Sequence, residues 1–408
     1  MIAAHDGCAV ERHSMSQRTV HRILHITACL DRGGIETWLT NVLRQRSTDR
    51  FEHSICTYRL PDGAYAKELR AAGIRITHIP LENKAMGVFT FGRALFKFLR
   101  QEKVDVVHCH GTVVVGLVLF ISLVGRVPIR IAHCHNSSDP RIFEWWAADY
   151  LFKCFNRMLV RISTTGGLAC SEVAAEYLFG HKWKRTGRVK ILHCGIDLAP
   201  FADTARRASA RAALGIADGW KVLGNVARFD PVKNHVHLVE ILAKVITRCP
   251  DARLCLVGDG PLRESVRQKA RDLNLQDRVI FTGGVDDVPR KMIDIFDAFA
   301  LPSFYEGLPV ALLEAQAAGL QCVISDRVAA EAILDRSTVD IVSLQDHDAW
   351  CEAVVKALNR LRPHRPGFAA MLGGPFDIRT SVTTLVETYD RLLKQQRIER
   401  RRHLTFAE

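Results

Sequence analysis

The most constraining feature of this 408-residue chain is an alternation along nearly its whole length: short β-branched apolar runs separated by longer amphipathic ones. Such alternation builds parallel sheets, because parallel neighbours need a long connection and the connecting helices cover the sheet faces. In the first half the strand-like runs are ILHIT, HSICTY, RITHIP, VDVVHCH, RIAHCH, GLACS and VKILH. In the second they are KVLGNVA, ARLCLVG, RVIFTG, DAFALP, QCVIS and DIVSL. Several are apolar on both faces, as central parallel strands are. The chain is too long for one ordinary core, so we read two doubly wound α/β units in tandem. The first spans 21–198 and the second 199–376, joined near CGIDLAPF. Residues 1–20 lack the apolar core of a signal peptide and read as a disordered leader. Residues 377–408 read as a helix that packs back on the first unit and ends in the basic tail KQQRIERRRH. Ligands of such folds bind beyond the carboxyl ends of the strands, and two units place them in the cleft between.

The formal charge of +12 implies an anionic partner: nucleic acid, an acidic membrane surface or a phosphorylated substrate. Aromatic and basic residues lack the spacing of RNA-recognition or helix-turn-helix modules, so no nucleic acid is expected. The twelve cysteines form no CxxC pair and lie in apolar runs, which reads as buried, reduced thiols of a cytoplasmic protein. The longest apolar run, Val113 to Gly125, is shorter than the ~20 residues needed to span a bilayer. Basic and aromatic residues interleave in GVFTFGRALFKFLRQEK and RIFEWWAADYLFKCFNRMLVR. Phe91, Leu95, Phe98 and Leu99 share a helical face and read as core. Phe96, Trp145 and Trp146 read first as core packing; the other reading is that, with Arg93, Lys97, Lys153 and Arg157, they contact an anionic membrane peripherally.

Four stretches carry candidate chemistry. In FYEGLPVALLE, Glu306 sits in a loop before a short helix that Pro309 opens and Gly319 stops, and Glu314 lies inside it. In ARFDPVKNHVHLVEIL, Arg228 and Lys233 flank a helix N-terminus, which itself favours anions. VGDGPLR places Gly258 in a turn after a strand, but Arg263 stands where GxGxxG needs its last glycine, and no GxxxxGK[ST] occurs. Nicotinamide and P-loop chemistry are thereby weakened. Gly33 and Gly34, between the first strand and its helix, allow close backbone approach to a ligand or make only a tight turn.

Two HCH tripeptides, His108 to His110 and His133 to His135, each end a strand, with both histidines of a tripeptide on one face. A zinc site is set aside, because the spacings CxxC and HExxH are missing and either strand end alone would hold its ligands poorly. His135, followed by Asn136, Ser137 and Ser138, is the first choice for hydrogen bonding to substrate in the cleft, and His110 the second. In the triplet Asp346, His347, Asp348, we read Asp348 as a helix N-cap rather than a metal ligand.

Taken together, these residues resemble the GT-B glycosyltransferases of retaining family 4, over nearly the whole chain from His21 to Leu393. Arg228, Lys233, VGDGPL and PSFYEGLPVALLEAQAAGL carry the likeness, extended by GGIETW, VVHCHG, RIAHCHNS and GID. The wording looks most like bacterial exopolysaccharide and capsule enzymes. The resemblance implies two Rossmann-like domains facing a central cleft, a nucleotide-sugar donor held mainly by the second and an acceptor held mainly by the first. It implies that Arg228 and Lys233 neutralise the diphosphate, Glu314 accepts from ribose, and Glu306 contacts the donor sugar. Gly33, Gly34, Gly258, Gly307 and Leu308 would line the donor, with His135 catalytic and His110 and Asn136 on the acceptor side. The reaction implied is hexose transfer, with a UDP-sugar favoured over a GDP-sugar, to a glycan or lipid-linked glycan, with no cofactor and no required metal. A sugar-nucleotide epimerase of similar two-domain fold is the first alternative, and a nucleic-acid-binding protein, suggested only by the charge, the second. The chain departs from the family at Cys194, where Asn commonly precedes GID, and at Gln321, where Pro commonly follows AGL.

Overall fold

A computed structural model describes residues 20–46, 50–82, 85–136, 146–202, 207–360 and 366–405. Residues 1–19 of the leader, together with Ser137, Ser138 and Trp145, lie outside the described residues, as does the Trp146 side chain. All thirteen expected strands form, in two sheets whose pairings are parallel throughout. The first sheet comprises β1 (His21–Thr27), β2 (Phe51–Thr57), β3 (Arg75–His78), β4 (Val106–His110), β5 (Ile129–Cys134), β6 (Gly166–Ala169) and β7 (Val189–Ile191). Its order is β3-β2-β1-β4-β5-β6-β7. The second comprises β8 (Lys221–Val226), β9 (Ala252–Val257), β10 (Val279–Gly283), β11 (Ala298–Leu301), β12 (Gln321–Ser325) and β13 (Val339–Val342), in the order β10-β9-β8-β11-β12-β13. Both reverse direction of travel beside their first strand, which is the doubly wound arrangement.

The apolar run beginning at Val113 becomes the helix Val115–Val124, packed between the helices Ala85–Glu102 and Trp146–Ser163. Close packing is possible there because Gly116 lies against Asn156, whose side chain accepts from Gly116 N at 2.9 Å and donates to the Thr112 carbonyl at 2.7 Å. Phe91, Leu95 and Leu99 are buried. Among the described residues no helix is long and apolar enough to cross a membrane. The eleven described cysteines are free thiols, nine of them buried.

The C-terminal helix Ile378–Thr405 lies against the helix Gly34–Arg44 and β5 of the first domain. Tyr389 anchors it, its buried hydroxyl 2.7 Å from His108 Nδ1. The two chain segments that cross between domains are tied together. Ile196 N donates to the Phe376 carbonyl at 2.8 Å, and Ile378 N donates to the Ile196 carbonyl at 3.0 Å.

One cap differs from expectation. Asp346, not Asp348, caps the helix His347–Asn359, accepting from Ala349 N at 2.9 Å, while Asp348 sits in the first turn and pairs with Lys244. The N-cap must precede the first helical residue so that its side chain can reach back to a free amide, which here favours the earlier aspartate.

Candidate active site in the interdomain cleft

On the second domain, β8 delivers the chain into a loop in which Arg228 is exposed. Asp230 caps a short 3₁₀ turn, Pro231–Lys233, by accepting from Val232 N at 3.1 Å. Asn234, at φ 51°, then redirects the chain into the helix His235–Val245. The VGDG turn after β9 presses on the start of this loop. A side chain at Gly258, whose φ is +140°, would overlap the Ala227 carbonyl oxygen. Only glycine fits both that conformation and that approach.

Phe304 N donates to the Val232 carbonyl at 2.9 Å, which brings the loop containing Glu306 beside Lys233. Lys233 Nζ donates to both Glu306 carboxylate oxygens, at 2.7 and 2.9 Å, and Ser303 Oγ donates to Glu306 Oε1 at 2.6 Å. The Glu306 side chain is 9% exposed and that of Lys233 24%. Glu306 and Lys233 thus form one unit rather than an isolated acid and an isolated cation. The helix Val310–Ala317 begins one residue later than expected, with Pro309 as its N-cap residue, and Gly319, at φ 73°, ends it. Leu308 is buried. Glu314 is half-buried, and burial pushes its carboxyl up to about 8.

The first domain meets this surface directly. A methyl group at Gly307 would lie 2.5 Å from the His135 carbonyl oxygen and 3.1 Å from Asn136 Cα. One at Gly34 would lie 3.6 Å from Val310. Arg32 pairs with Asp286 across the domains. Gly33 lies so close to Glu36 that a side chain there would overlap Glu36 Oε2. Burial pushes the Glu36 carboxyl up to about 7, a rise that the charge of Arg228 in the other domain opposes. Tyr65, whose hydroxyl is 2.8 Å from Thr37 Oγ1, is near enough to Glu314 for that carboxylate to help raise its phenol, after burial as the main cause.

Glu36 joins this surface without having stood out among the candidate residues of the sequence. Its signal was an acid in the first helical turn after the paired glycines, facing the same space as they do.

The two histidines differ from expectation. His135 is 5% exposed, with Nε2 3.1 Å from His110 Nδ1 and Nδ1 3.3 Å from Cys194 Sγ, and its ring lies beside Trp38. His110 is likewise buried, its other nitrogen 3.1 Å from His25 Nδ1. Both imidazoles are turned into the first-domain core, because strand alternation sends them to the face covered by Trp38 and the C-terminal helix. What His135 presents to the cleft is its carbonyl. Asn136 is exposed beside it.

Where the two parallel α/β domains meet, Gly307 lies against the His135 carbonyl, Val310 against Gly34, Arg228 acts on Glu36 and Glu314 on Tyr65, with the Lys233–Glu306 pair next to Gly307. Fold and site together define a GT-B glycosyltransferase. Family descriptions agree: "Glycosyltransferase Family 4" matches residues 32–200 and "Glycosyl transferases group 1" matches 220–360. The chain is 34% identical to the "Putative glycosyltransferase EpsF" of Bacillus subtilis (strain 168), over 90% of this chain and 96% of EpsF. It is 26% identical, over 64% of this chain and 68% of the relative, to an Escherichia coli enzyme, the UDP-Gal:alpha-D-GlcNAc-diphosphoundecaprenol alpha-1,3-galactosyltransferase. The crystal structure of Anabaena HepE with UDP and glucose superposes with a TM-score of 0.74 at 19% identity, covering 91% of this chain and 100% of HepE. The chain belongs to the family 4 glycosyltransferases.

Proposed function

We propose that this enzyme transfers a hexosyl group, with retention of anomeric configuration and without a required metal, from a UDP-sugar to a glycan or lipid-linked glycan of a surface polysaccharide. The observation that carries this reading is that Arg228, the Lys233–Glu306 pair beside Gly307, and Glu314 all lie along the side of the second domain that meets the first. Cations stabilise a diphosphate, and carboxyl groups accept from sugar hydroxyls. HepE, solved with UDP and with UDP-glucose, and the E. coli galactosyltransferase support a UDP-sugar donor.

In this reading the bond between C1 of the sugar and the β-phosphate oxygen breaks, and Arg228 and Lys233 stabilise the charge that gathers on the phosphate. The acceptor hydroxyl adds to C1 from the same face and passes its proton to the departing phosphate oxygen. Glu306 stabilises positive charge on the sugar, Glu314 holds the ribose, and Glu36 offers a carboxyl near neutrality from the acceptor side.

The helix Trp146–Ser163 exposes Leu151, Phe155, Met158 and Ile162 on one face, and Phe120 and Val124 of the helix Val115–Val124 are also exposed. Arg161, Arg93 and Lys97 are exposed on this helical layer. Apolar residues fringed by cations suit an anionic cytoplasmic membrane surface, where a lipid-linked acceptor would be found.

The test is a thermal-shift comparison of UDP-, GDP- and ADP-sugars, followed by determination of the product anomer by NMR. A ligand at 100 times its Kd stabilises the native state by about 2.7 kcal/mol. Failure of every nucleotide sugar to raise Tm, or an inverted product, overturns the reading.

A further inference from the structure

We propose that Tyr65, held by Thr37, is the first domain's own contact to the ribose of the donor nucleotide, completing from across the domain interface the site in which Glu314 lies. This deepens the transferase reading and rests on it, since that reading makes Glu314 the group that accepts from ribose.

Main-chain bonds deliver Tyr65 to the interface. β1 and β2 are parallel neighbours, and the loops that leave their carboxyl ends are tied together. Arg59 N donates to the Ala28 carbonyl at 2.8 Å, and Tyr65 N to the Leu30 carbonyl at 3.0 Å. Gly63 packs so closely on Leu30 that any side chain there would overlap its carbonyl. The half-buried Tyr65 is thereby fixed beside the helix Gly34–Arg44, where Thr37 Oγ1 meets its hydroxyl at 2.8 Å.

The second domain brings Glu314 to the same place. The start of its helix Val310–Ala317 approaches the start of the helix Gly34–Arg44, so that a methyl group on Gly34 would lie 3.6 Å from Val310. Residues three or four apart share a helical face. Thr37 therefore follows Gly34, and Glu314 follows Val310, on the two faces that oppose each other. Electrostatics agree: burial chiefly raises the Tyr65 phenol, the Thr37 bond opposes it, and the Glu314 carboxylate adds to the rise.

The two sides are complementary in chemistry but unjoined. Among the described residues the Glu314 side chain makes no hydrogen bond or ion pair, and burial alone pushes its carboxyl up to about 8. Tyr65 and Thr37 satisfy each other only once: whichever hydroxyl donates, the other keeps a proton to give, and both keep lone pairs. A carboxyl opposite a hydroxyl pair suits a ligand that donates and accepts at adjacent atoms, as a vicinal diol does. A diphosphate offers acceptors alone and belongs beside Arg228 and Lys233 instead. The ribose is thus gripped from both domains, and their approach reads the nucleoside as well as the diphosphate.

The experiment uses calorimetry with whichever of UDP, GDP and ADP binds wild type most tightly, since all carry the same ribose, together with its 2′,3′-dideoxy analogue and inorganic pyrophosphate. Tyr65→Phe should bind the ribonucleotide about 2–10-fold more weakly than wild type, the range expected for one hydrogen bond. The dideoxy analogue and pyrophosphate, which lack the diol, should bind both proteins alike. In turnover Tyr65→Phe should raise the donor KM and leave kcat within about twofold, because this contact is the same in ground and transition states. Thr37→Val, which frees the phenol to turn, should show a smaller loss with the same dependence on the diol, and it decides the matter if Tyr65→Phe does not fold. An undiminished affinity for the ribonucleotide, or an equal loss for all three ligands as a merely structural phenol would give, overturns the proposal while leaving the transferase reading in place. Failure of every nucleoside diphosphate to bind wild type overturns both.

Discussion

Replacing Lys233 tests the cleft most sharply, because its ammonium serves two demands that separate experimentally. Two unit charges 2.7 Å apart attract by roughly 6 kcal/mol at an effective dielectric of 20, before desolvation is subtracted. Removing one member of a buried pair costs about 3–5 kcal/mol. With Lys233 24% exposed, water screens part of this, and about 2–3 kcal/mol is a reasonable figure for Lys233→Ala. In a domain of this size that lowers Tm by roughly 5–10 °C. If Lys233 also stabilises the departing diphosphate, kcat should fall on the order of 10². Lys233→Met combined with Glu306→Gln separates the two demands. Neither residue then carries an uncompensated charge, so Tm should return to within a few degrees of wild type. Turnover should not return. Steady-state kinetics and calorimetry on the single and double variants decide it. A double variant with near-normal kcat would reduce the pair to a structural bridge and refute the reasoning.

Gly307→Ala places a methyl 2.5 Å from the His135 carbonyl, so the domains cannot meet as they do here, and both KM and kcat should worsen by about 10-fold or more. Unchanged kinetics would mean that this approach of the domains is not the productive one. Glu306→Gln should mainly lower kcat, whereas Glu314→Gln should mainly raise KM, since ribose contacts are alike in ground and transition states. Glu314 also has a pH signature: its folded value of about 8 exceeds the ordinary 4.5, so the native state binds the extra proton between them. Wild-type stability should therefore decline as pH rises from 4.5 through 8, and Glu314→Gln should flatten that decline, as denaturant titrations across the range would read. Vesicle flotation should show binding to anionic but not neutral vesicles at low salt, released at high salt and weakened by Phe155→Glu. Equal absence from both vesicle types at low salt would count against the membrane surface.

The strands were legible because they are short β-branched runs set between amphipathic segments, several of them apolar on both faces, as parallel burial imposes. The partners in the Lys233–Glu306 pair are 73 residues apart, and each was visible as chemistry. Their union was not, since it depends on the Phe304–Val232 hydrogen bond that joins two loops. The histidines mislead for a related reason. Alternation says which face a side chain takes, but what covers that face is decided by Trp38 and Tyr389, from helices at opposite ends of the chain. Glu36 was hidden by its neighbours, since paired glycines draw attention to backbone while a helix-start acid reads as ordinary capping.

The return of the C-terminal helix to the first domain has a consequence for biosynthesis. The first sheet is complete at Ile191, yet the helix that carries Tyr389 starts only at Ile378, roughly 190 residues later. At ~5–20 residues per second, a ribosome needs on the order of 10–40 s to deliver it. Throughout that interval the nascent first domain holds part of its histidine-bearing sheet face uncovered, while the second domain, continuous in the chain, can fold to completion. The first domain is thus closed by a segment made only after the second domain, and a chain truncated before Ile378 should occupy chaperones rather than persist as a free half.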